Sequence, residues 1–408
     1  MSEPSASDRI AITTAAGRRS RPRFALSGNP LAPSTYLLRN LGKTVPLVGV
    51  ILLAVMLIAG IVSMIDSIPL SIQTIYGYSR FFLAVSPRGD PTLPRKLISE
   101  IERGAPVPIE RVMLCRASGA QVMSVVGKWP FTVLGLSQGD MRYFLKRMGV
   151  KDADIHGRLP AVAAPEAVIS GPVAKNLGLR LGSTLLSPQD KDNYSPLAVK
   201  VVGIVDSPEW LMIDDVQYQR LHHLWPTDGV LVFARNLRDE DKLDRWAFKA
   251  LKGQRALPIA YFDLERETND TFRILYRVLD VVIATLVIVI AVMMGMLMNI
   301  YQSQRIIEYG LLQAIGYTRR RLMARALTET AAVLTLGWIL GMCAAGLLLR
   351  LVDASLMEPH AFVMSIFDAH AVGYTATVPA AILAVSSATV ALRFRRFDPV
   401  SIVERRLV

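Results

Sequence analysis

The motif in this sequence that most resembles a catalytic one is a serine between two glycines, Gly135-Leu136-Ser137-Gln138-Gly139. It follows a strand-like run and precedes a predicted helix, which is the context of a nucleophile elbow. A serine at a strand–helix junction is also a common helix N-cap. The sequence that follows lacks the regular succession of strands and helices of an α/β-hydrolase. We therefore interpret Ser137 as a cap and not as a nucleophile.

A second candidate for chemistry is a group of four acidic residues, which could in principle hold a cation. Its members are Asp206, Glu209, Asp214 and Asp215. Their spacing is irregular, and a proline and a tryptophan lie between them. This pattern favours a solvated loop over a metal site.

No other pattern in the sequence indicates a cofactor or metal site. The two cysteines, Cys115 and Cys343, fall in a predicted outer domain and in a predicted membrane span, so no disulfide links them and no metal-ligand spacing is available. The chain contains no G-x-x-x-x-G-K-[ST] motif, so we predict no P-loop nucleotide site. No cofactor and no metal are therefore predicted on this chain.

Four runs are long and apolar enough to cross a bilayer, which takes about 20 mostly apolar residues. They are Pro46–Ile65, Val278–Ile300, Ala326–Leu349 and Ala371–Leu392. Hydrophobic residues fill 52% of the 408 positions, too many for an ordinary soluble protein of this length. The sequence predicts a membrane protein with four transmembrane α-helices and a large α+β extracytoplasmic domain between the first and second spans.

Small residues recur every fourth position in the third predicted span, at Gly337, Gly341 and Ala345. Such a face lets another helix approach closely, so we predict helix packing there. The fourth span repeats the pattern with Ala376, Ala380, Ala384 and Ala388.

Two acidic residues lie near the ends of predicted spans, Asp280 in the second and Glu329 in the third. A charge at the bilayer centre would cost at least about 2.5–3.5 kcal/mol, and neither residue lies there. Because Arg277 precedes Asp280 by three residues, we predict an interfacial ion pair on one helix face.

Positive charge marks the predicted cytoplasmic side. Segments 1–45, 301–325 and 393–408 contain 7, 5 and 5 lysines or arginines, against 2, 1 and 2 acidic residues. By the positive-inside rule, both termini and the 301–325 segment face the cytoplasm. Most of the net charge of +12 flanks the membrane in this way, and no basic stripe with interleaved aromatic residues is present. Nucleic-acid binding is therefore not predicted.

The predicted outer domain mixes strands and helices. Strand-like runs include Arg111–Cys115, Trp129–Leu134 and Ala198–Val205, and helical stretches include Leu93–Arg103 and Asp239–Leu251. Glycine and proline turns separate them. After this domain, residues 268–278 are predicted to continue as helix directly into the second span, without a glycine or proline break. A helix of this kind would act as a rigid lever.

The 301–325 segment between the second and third spans is amphipathic. It has apolar residues at roughly helical spacing, and we place Arg305 and Glu308 on one exposed helical face. Gly310 and Gly316 predict bends between short helical pieces. An element of this kind lies at the membrane surface with its charged side available to a soluble partner. The alternative is a solvated basic loop that only fixes topology.

A sequence pattern in this segment resembles the signature of FtsX-like permeases, the MacB and lipoprotein-exporter type of ABC transporter subunit. The pattern is Arg305-x-x-Glu308-x-Gly310-x-x-x-Ala314-Ile315-Gly316, followed by Glu329 at the start of a glycine-rich apolar run. The resemblance is specific over about residues 301–350. In that family the corresponding segment is a cytoplasmic coupling loop that docks on a separate ATPase, and the resemblance assigns this role to the six named positions from Arg305 to Gly316.

The resemblance implies a non-catalytic permease subunit in the bacterial inner membrane. It implies that ATP binds to a partner ABC ATPase, and that a second permease chain, identical or different, completes a dimer. Some family members also work with an extracytoplasmic adaptor protein. Export or extraction of an amphipathic substrate is the expected function. A non-transporting mechanical relay that regulates an extracytoplasmic enzyme, or a membrane-anchored sensor without an ATPase, are the alternatives.

The predicted organisation has nine parts. They are a cytoplasmic tail and interfacial helix (1–45), transmembrane helix 1 (46–65), the extracytoplasmic α+β domain (66–272), a stalk with transmembrane helix 2 (273–300), the coupling loop (301–325), transmembrane helix 3 (326–349), a short external loop (350–370), transmembrane helix 4 (371–392) and a cytoplasmic tail (393–408).

Overall fold

A computed structural model of the chain describes residues 41–87, 93–222, 224, 228–252, 255–366 and 369–395. Most of the two predicted tails, residues 1–40 and 396–408, lies outside the described residues. Within the described ranges, four helices are long and apolar enough to cross a membrane. A large mixed domain lies between the first and second of them, so the predicted fold class is confirmed.

The helices are numbered in chain order. They are α1 (Leu41–Ile75), α2 (Leu93–Gly104), α3 (Gln138–Arg147), α4 (Gly171–Leu177), α5 (Val216–Leu221), α6 (Glu240–Ala250), α7 (Tyr261–Ser303), α8 (Ile306–Ala314), α9 (Arg319–Val352) and α10 (Ala369–Arg395). Of these, α1, α7, α9 and α10 contain the candidate membrane spans.

The strands all belong to the α+β domain. They are β1 (Leu83–Pro87), β2 (Ile109–Ser124), β3 (Gly127–Leu136), β4 (Ile155–Gly157), β5 (Glu166–Ser170), β6 (Thr184–Leu186), β7 (Val199–Val205), β8 (Met212–Asp215), β9 (Gly229–Ala234) and β10 (Ala256–Ile259).

The ten described strands form one sheet in the order β10-β1-β9-β2-β3-β8-β5-β7-β4, with β6 paired to β7. The long strand β2 joins two halves of this sheet. Its first part, up to Cys115, pairs with β9, and its second part, from Arg116, pairs with β3. The partner therefore changes in the middle of the strand, and this point is the seam between the two halves.

Apolar side chains fill the domain on both sides of the seam. One buried cluster includes Phe131, Phe144 and Phe233. A second includes Leu97 of α2 and Leu243 of α6, together with Leu251 directly after α6, and these helices cover the β1–β9 half. Each buried side chain of this size stabilises the fold by about 1.5–3 kcal/mol relative to exposure.

The four long helices pack closely through small residues. A methyl group added at Gly337 would lie 2.8 Å from Ile51, and one added at Gly341 would lie 2.8 Å from Val55. Gly295 of α7 similarly approaches Val385 of α10. Glycine at these positions lets α9 contact α1, and α7 contact α10, without intervening side chains.

The ends of the long helices differ from the predicted boundaries. Helix α1 continues ten residues past Ile65, and α7 begins at Tyr261, well before residue 273. The third long helix, α9, already begins at Arg319, inside the 301–325 segment. Hydropathy marks only the apolar part of a helix, whereas polar helical turns outside the membrane carry no such signal. The prediction that residues 268–278 form helix continuous with the second span is confirmed by the unbroken α7.

Candidate functional site

The short helix α8 occupies the connection between α7 and α9. It ends where Gly316 adopts a left-handed backbone with φ of +104°. The Gly316 N–H donates to the Gln313 carbonyl, and the Tyr317 N–H donates to the Leu312 carbonyl. This pair of bonds is a Schellman motif, which satisfies the last carbonyls of the helix and favours glycine at this position. Of the two predicted glycine bends, the one at Gly310 is wrong, because Gly310 lies within α8.

Four charged residues form a cluster that links α8 to the neighbouring long helices. Arg305, just before α8, contacts Glu329 of α9 through Nη1 and Oε2 and lies 3.0 Å from Glu308. Arg325 Nε lies 3.3 Å from the other oxygen of Glu329. We call Arg305, Glu308, Arg325 and Glu329 the arginine–glutamate cluster.

Burial distinguishes the members of the arginine–glutamate cluster. The side chains of Arg305 and Glu329 are only 5% and 4% exposed, whereas that of Glu308 is 52% exposed. The Arg305–Glu308 pair was predicted on an exposed face, and this is wrong for Arg305. The guanidinium also lies 5.3 Å from the ring centre of Tyr309, at cation–π distance. The ion pair between Arg305 and Glu329 therefore holds the start of α8 against α9.

The opposite face of α8 is apolar and exposed. Ile307, Leu311 and Ile315 are 46%, 61% and 77% exposed and recur every fourth residue, so they form one stripe. Ala314 and Glu308 are also exposed on this helix. On the inner side, Tyr309 is buried and packs with Leu322, Ala326 and Val390, and Leu312 lies against this group.

The positions predicted for helix packing lie far from α8. Gly337, Gly341 and Ala345 are buried on α9, and the two glycines face α1. The alanines at 376, 380, 384 and 388 are exposed on α10 in this single chain.

Ser137 caps a helix, as predicted. Its Oγ accepts a hydrogen bond from the backbone N–H of Asp140, and its hydroxyl donates to the Asp140 carboxylate at 2.6 Å. The G-x-S-x-G pattern at this site is explained by the turn from β3 into α3.

The solvated loop that the sequence predicted is wrong for two of the four acidic residues, since only Asp206 and Glu209 lie in the connection between β7 and β8. Asp214 and Asp215 are fully buried in β8. Asp215 caps α5 by accepting from the N–H groups of Gln217 and Tyr218. Asp214 accepts from the Gln219 side chain at 2.7 Å, and burial raises the pKa of Asp214 to about 8. Among the described residues no group of His, Cys, Asp and Glu is arranged to hold a metal ion.

The predicted ion pair between Arg277 and Asp280 is also wrong. Asp280 accepts a hydrogen bond from the hydroxyl of Tyr374, on α10. Asp280 therefore pairs with Tyr374 on a neighbouring helix and not with Arg277, three residues earlier on its own helix. Both described cysteines are free thiols, as the sequence predicted.

Sequence reasoning missed the contact between Arg305 and Glu329. Both residues belong to the recognised pattern, but they are 24 positions apart, and only the packing of α8 on α9 brings them together. The usable signal was an acidic residue at the start of an apolar span. Such a residue usually has a buried partner, and the nearest unassigned arginines are those of the 301–325 segment.

Comparison with known families gives one match, which covers the region just described. Residues 281–399 match the FtsX-like permease C-terminal domain. This part of the chain belongs to the FtsX-like permease family. This match, together with the four helices long and apolar enough to cross a membrane, supports a multi-pass membrane subunit of the permease type. A search among curated proteins gives no match.

Two solved structures resemble part of this chain at a distance. One is the periplasmic region of MacB from Actinobacillus actinomycetemcomitans, with 14% identity, covering 47% of this chain and 94% of that chain at a TM-score of 0.26. The other is the extracellular domain of the noncanonic ABC-type transporter YknZ from Gram-positive bacteria, with 12% identity, covering 44% and 98% at a TM-score of 0.25. These scores are too low to carry an argument about this chain.

Proposed function

We propose that this chain couples ATP hydrolysis by a separate ABC ATPase to movement of its α+β domain, for the export or extraction of an amphipathic substrate from the outer membrane face. The observation that carries the proposal is the exposed stripe of Ile307, Leu311 and Ile315 on α8. We propose that this apolar stripe, and not the charged side expected from the sequence, faces the soluble partner, which would cover it and keep it from water. We propose that the partner is the ATPase and that a groove on its surface covers the stripe.

The anchoring of α8 supports this role. A docking helix transmits force only if it is fixed to the elements that must move. Arg305 and Glu329 fix the start of α8 to α9 through a buried ion pair, and α8 follows α7 after only two residues. Motion of the bound ATPase would reach α7 and α9 through these connections.

Helix α7 carries this motion further in the proposal. It runs without interruption from Tyr261 to Ser303, which is about 65 Å at 1.5 Å per residue. Its first turns contact the segment that leads into the α+β domain, where Arg80 donates to the Tyr261 hydroxyl, and the end of α1, where Gln73 donates to Asn269. One rigid helix thus spans from the domain to the α8 side of the bundle.

Orientation and assembly complete the proposal. The arginines of the 301–325 segment favour the cytoplasmic side for α8, which places the α+β domain outside. Two such chains would form the permease, because four spans per chain leave room for a partner. The exposed alanine face of α10 is available for close contact with a second copy.

The docking helix can be tested by co-purification. We expect Leu311→Asp to release a co-expressed partner ABC ATPase from the detergent-solubilised complex. Losing a buried leucine costs about 1.5–3 kcal/mol, or about ten- to a hundred-fold in affinity, and a buried charge adds to this loss. The matched control is Leu221→Asp, since Leu221 of the α+β domain is 64% exposed against 61% for Leu311. Retention of the ATPase by Leu311→Asp, at normal membrane yield, would contradict the proposal.

A further inference from the structure

The α+β domain contains a cavity of about 380 Å³ at the seam of its sheet. Its floor is made by Cys115 and Ala117 of β2 together with Gly229 of β9, and Gly119, two residues further along β2, lines its exposed edge. None of these side chains is larger than that of cysteine, so this part of the lining leaves space for a ligand. A methyl group added at Gly119 would meet no atom within 4 Å, so there is open space next to this residue.

The walls of the cavity come from the two chain segments that lead to the membrane. Tyr76, Tyr78 and Phe82 follow α1, and Leu264 lies in the first turns of α7. Ile259, which is 37% exposed, and the exposed Gly119 also line it, so the cavity is open to the outside. It therefore lies where two long helices enter the domain.

The lining is chemically uniform. None of its residues is charged, and most are apolar or small. The hydroxyl of Tyr76 already has a partner within the protein, since it accepts from the Trp129 indole at 2.8 Å. The lining offers no charge to an ionic ligand. Protein interiors keep few voids larger than a water molecule, so an apolar space of this size suits an apolar ligand.

We propose that this cavity binds a single hydrocarbon chain of an amphiphile taken from the adjoining membrane face. The volume falls within the range of small-molecule sites, about 300–1,000 Å³, and admits one flexible chain. A polar head would remain outside, since nothing charged lies within. Because β2 changes partners at the cavity floor, a relative movement of the two sheet halves would widen or close the site. The use of the bound chain in transport rests on the proposed function, whereas its binding requires no ATPase.

The test is photolabelling of the full chain in nanodiscs of phosphatidylethanolamine and phosphatidylglycerol, without ATPase. A diazirine-bearing fatty acid should label peptides from β2 and from the segment after α1. Gly119→Leu, which fills the space, should reduce this labelling at least about ten-fold, since losing burial of about two methylene groups is enough. The matched control is Gly139→Leu on α3, where an added side chain also meets nothing within 4 Å but lies outside the cavity.

A second variant keeps the test decisive if Gly119→Leu folds poorly. Ile259→Asp places a charge at the exposed mouth and leaves the floor unchanged, and it should also reduce labelling about ten-fold or more. A diazirine-bearing phosphatidylglycerol in the bilayer then distinguishes a chain that belongs to a membrane lipid from a free fatty acid. If it labels the same peptides, the bound chain is that of a lipid. If it does not, the bound chain is that of a free fatty acid. Equal labelling in the Gly119→Leu and Gly139→Leu proteins, or labelling of the cavity only by an apolar diazirine peptide, would overturn the inference. Loss of ATPase docking leaves this result unchanged, so the two proposals fail separately.

Discussion

The arginine–glutamate cluster shows how single residues determine the position of α8. A buried ion pair contributes little net stability, because desolvation offsets the Coulomb attraction, but removing one partner leaves an unmatched charge. Arg305 and Glu329 are in this situation, with side chains 5% and 4% exposed. Their pairing therefore acts as a constraint on geometry. Any sequence change there should affect α8 more than the rest of the chain.

We predict that Glu329→Gln destabilises the protein by about 3 kcal/mol, since it leaves Arg305 buried with one carboxylate fewer. Glu308→Gln removes the other partner, whose side chain is 52% exposed, and should cost no more than about 1 kcal/mol. Thermal unfolding in nanodiscs and hydrogen exchange of the α8 amides measure the two effects. Equal behaviour of the two variants would show that burial of Glu329 has no role in holding α8.

A residue-scale prediction for the α+β domain concerns pH. The pKa of Asp214 is raised to about 8 in the fold, from an ordinary value of 3.8, because the carboxyl is buried. The folded state therefore holds a proton that the unfolded chain releases, and the resulting stability is lost as pH rises from about 4 to 8. Asp214→Asn keeps an acceptor for Gln219 and removes the titration. The variant should gain stability over the wild type with rising pH, by up to about 1.4 kcal/mol per pH unit. A constant difference in melting temperature between pH 5 and pH 8 would contradict this.

At the scale of elements, local pattern predicts the helices and strands well but not their contacts. Trp129–Leu134 falls within β3, and Ala198–Val205 exceeds β7 by one residue, because alternation and turn residues are local signals. The buried acid Asp214 was placed in a loop, since its burial depends on strands β3 and β5 on either side of β8. The cavity was missed for a similar reason, although small residues at every second position of β2 were a visible signal.

The long helix α7 carries the element-scale prediction. Replacing Phe272-Arg273 by Gly-Pro should interrupt the helix between the α+β domain and the bundle, since proline inside a helix costs about 3 kcal/mol and kinks it. We expect transport to fail while the ATPase remains bound, because α8 is untouched. The control is Ala-Ala at the same two positions, which keeps the helix. Normal transport by the Gly-Pro protein would show that α7 transmits no motion.

At the scale of the whole molecule, the proposed function requires three parts of the protein to act in series. In the proposed function, the exposed stripe of α8 would bind the ATPase, α7 and α9 would carry its motion, and the α+β domain would receive it. Sequence alone predicted the four spans and the inserted domain, since hydropathy and length are sufficient for both. The physical connection between the parts depends on contacts such as Arg305–Glu329, which no sequence pattern places in space.

Distance measurement between spin labels tests the central claim most directly. Labels at Leu181 of the α+β domain and Leu347 of α9, both exposed, would be attached in a Cys343→Ser background. The labelled chain is diluted with unlabelled chain in nanodiscs that contain the ATPase, so that only distances within one chain are read.

We predict that ATP with vanadate shifts this distance distribution, that Leu311→Asp abolishes the shift and that Leu221→Asp preserves it. An unchanged distribution on adding ATP, or a shift that persists in the Leu311→Asp protein, would contradict coupling through α8.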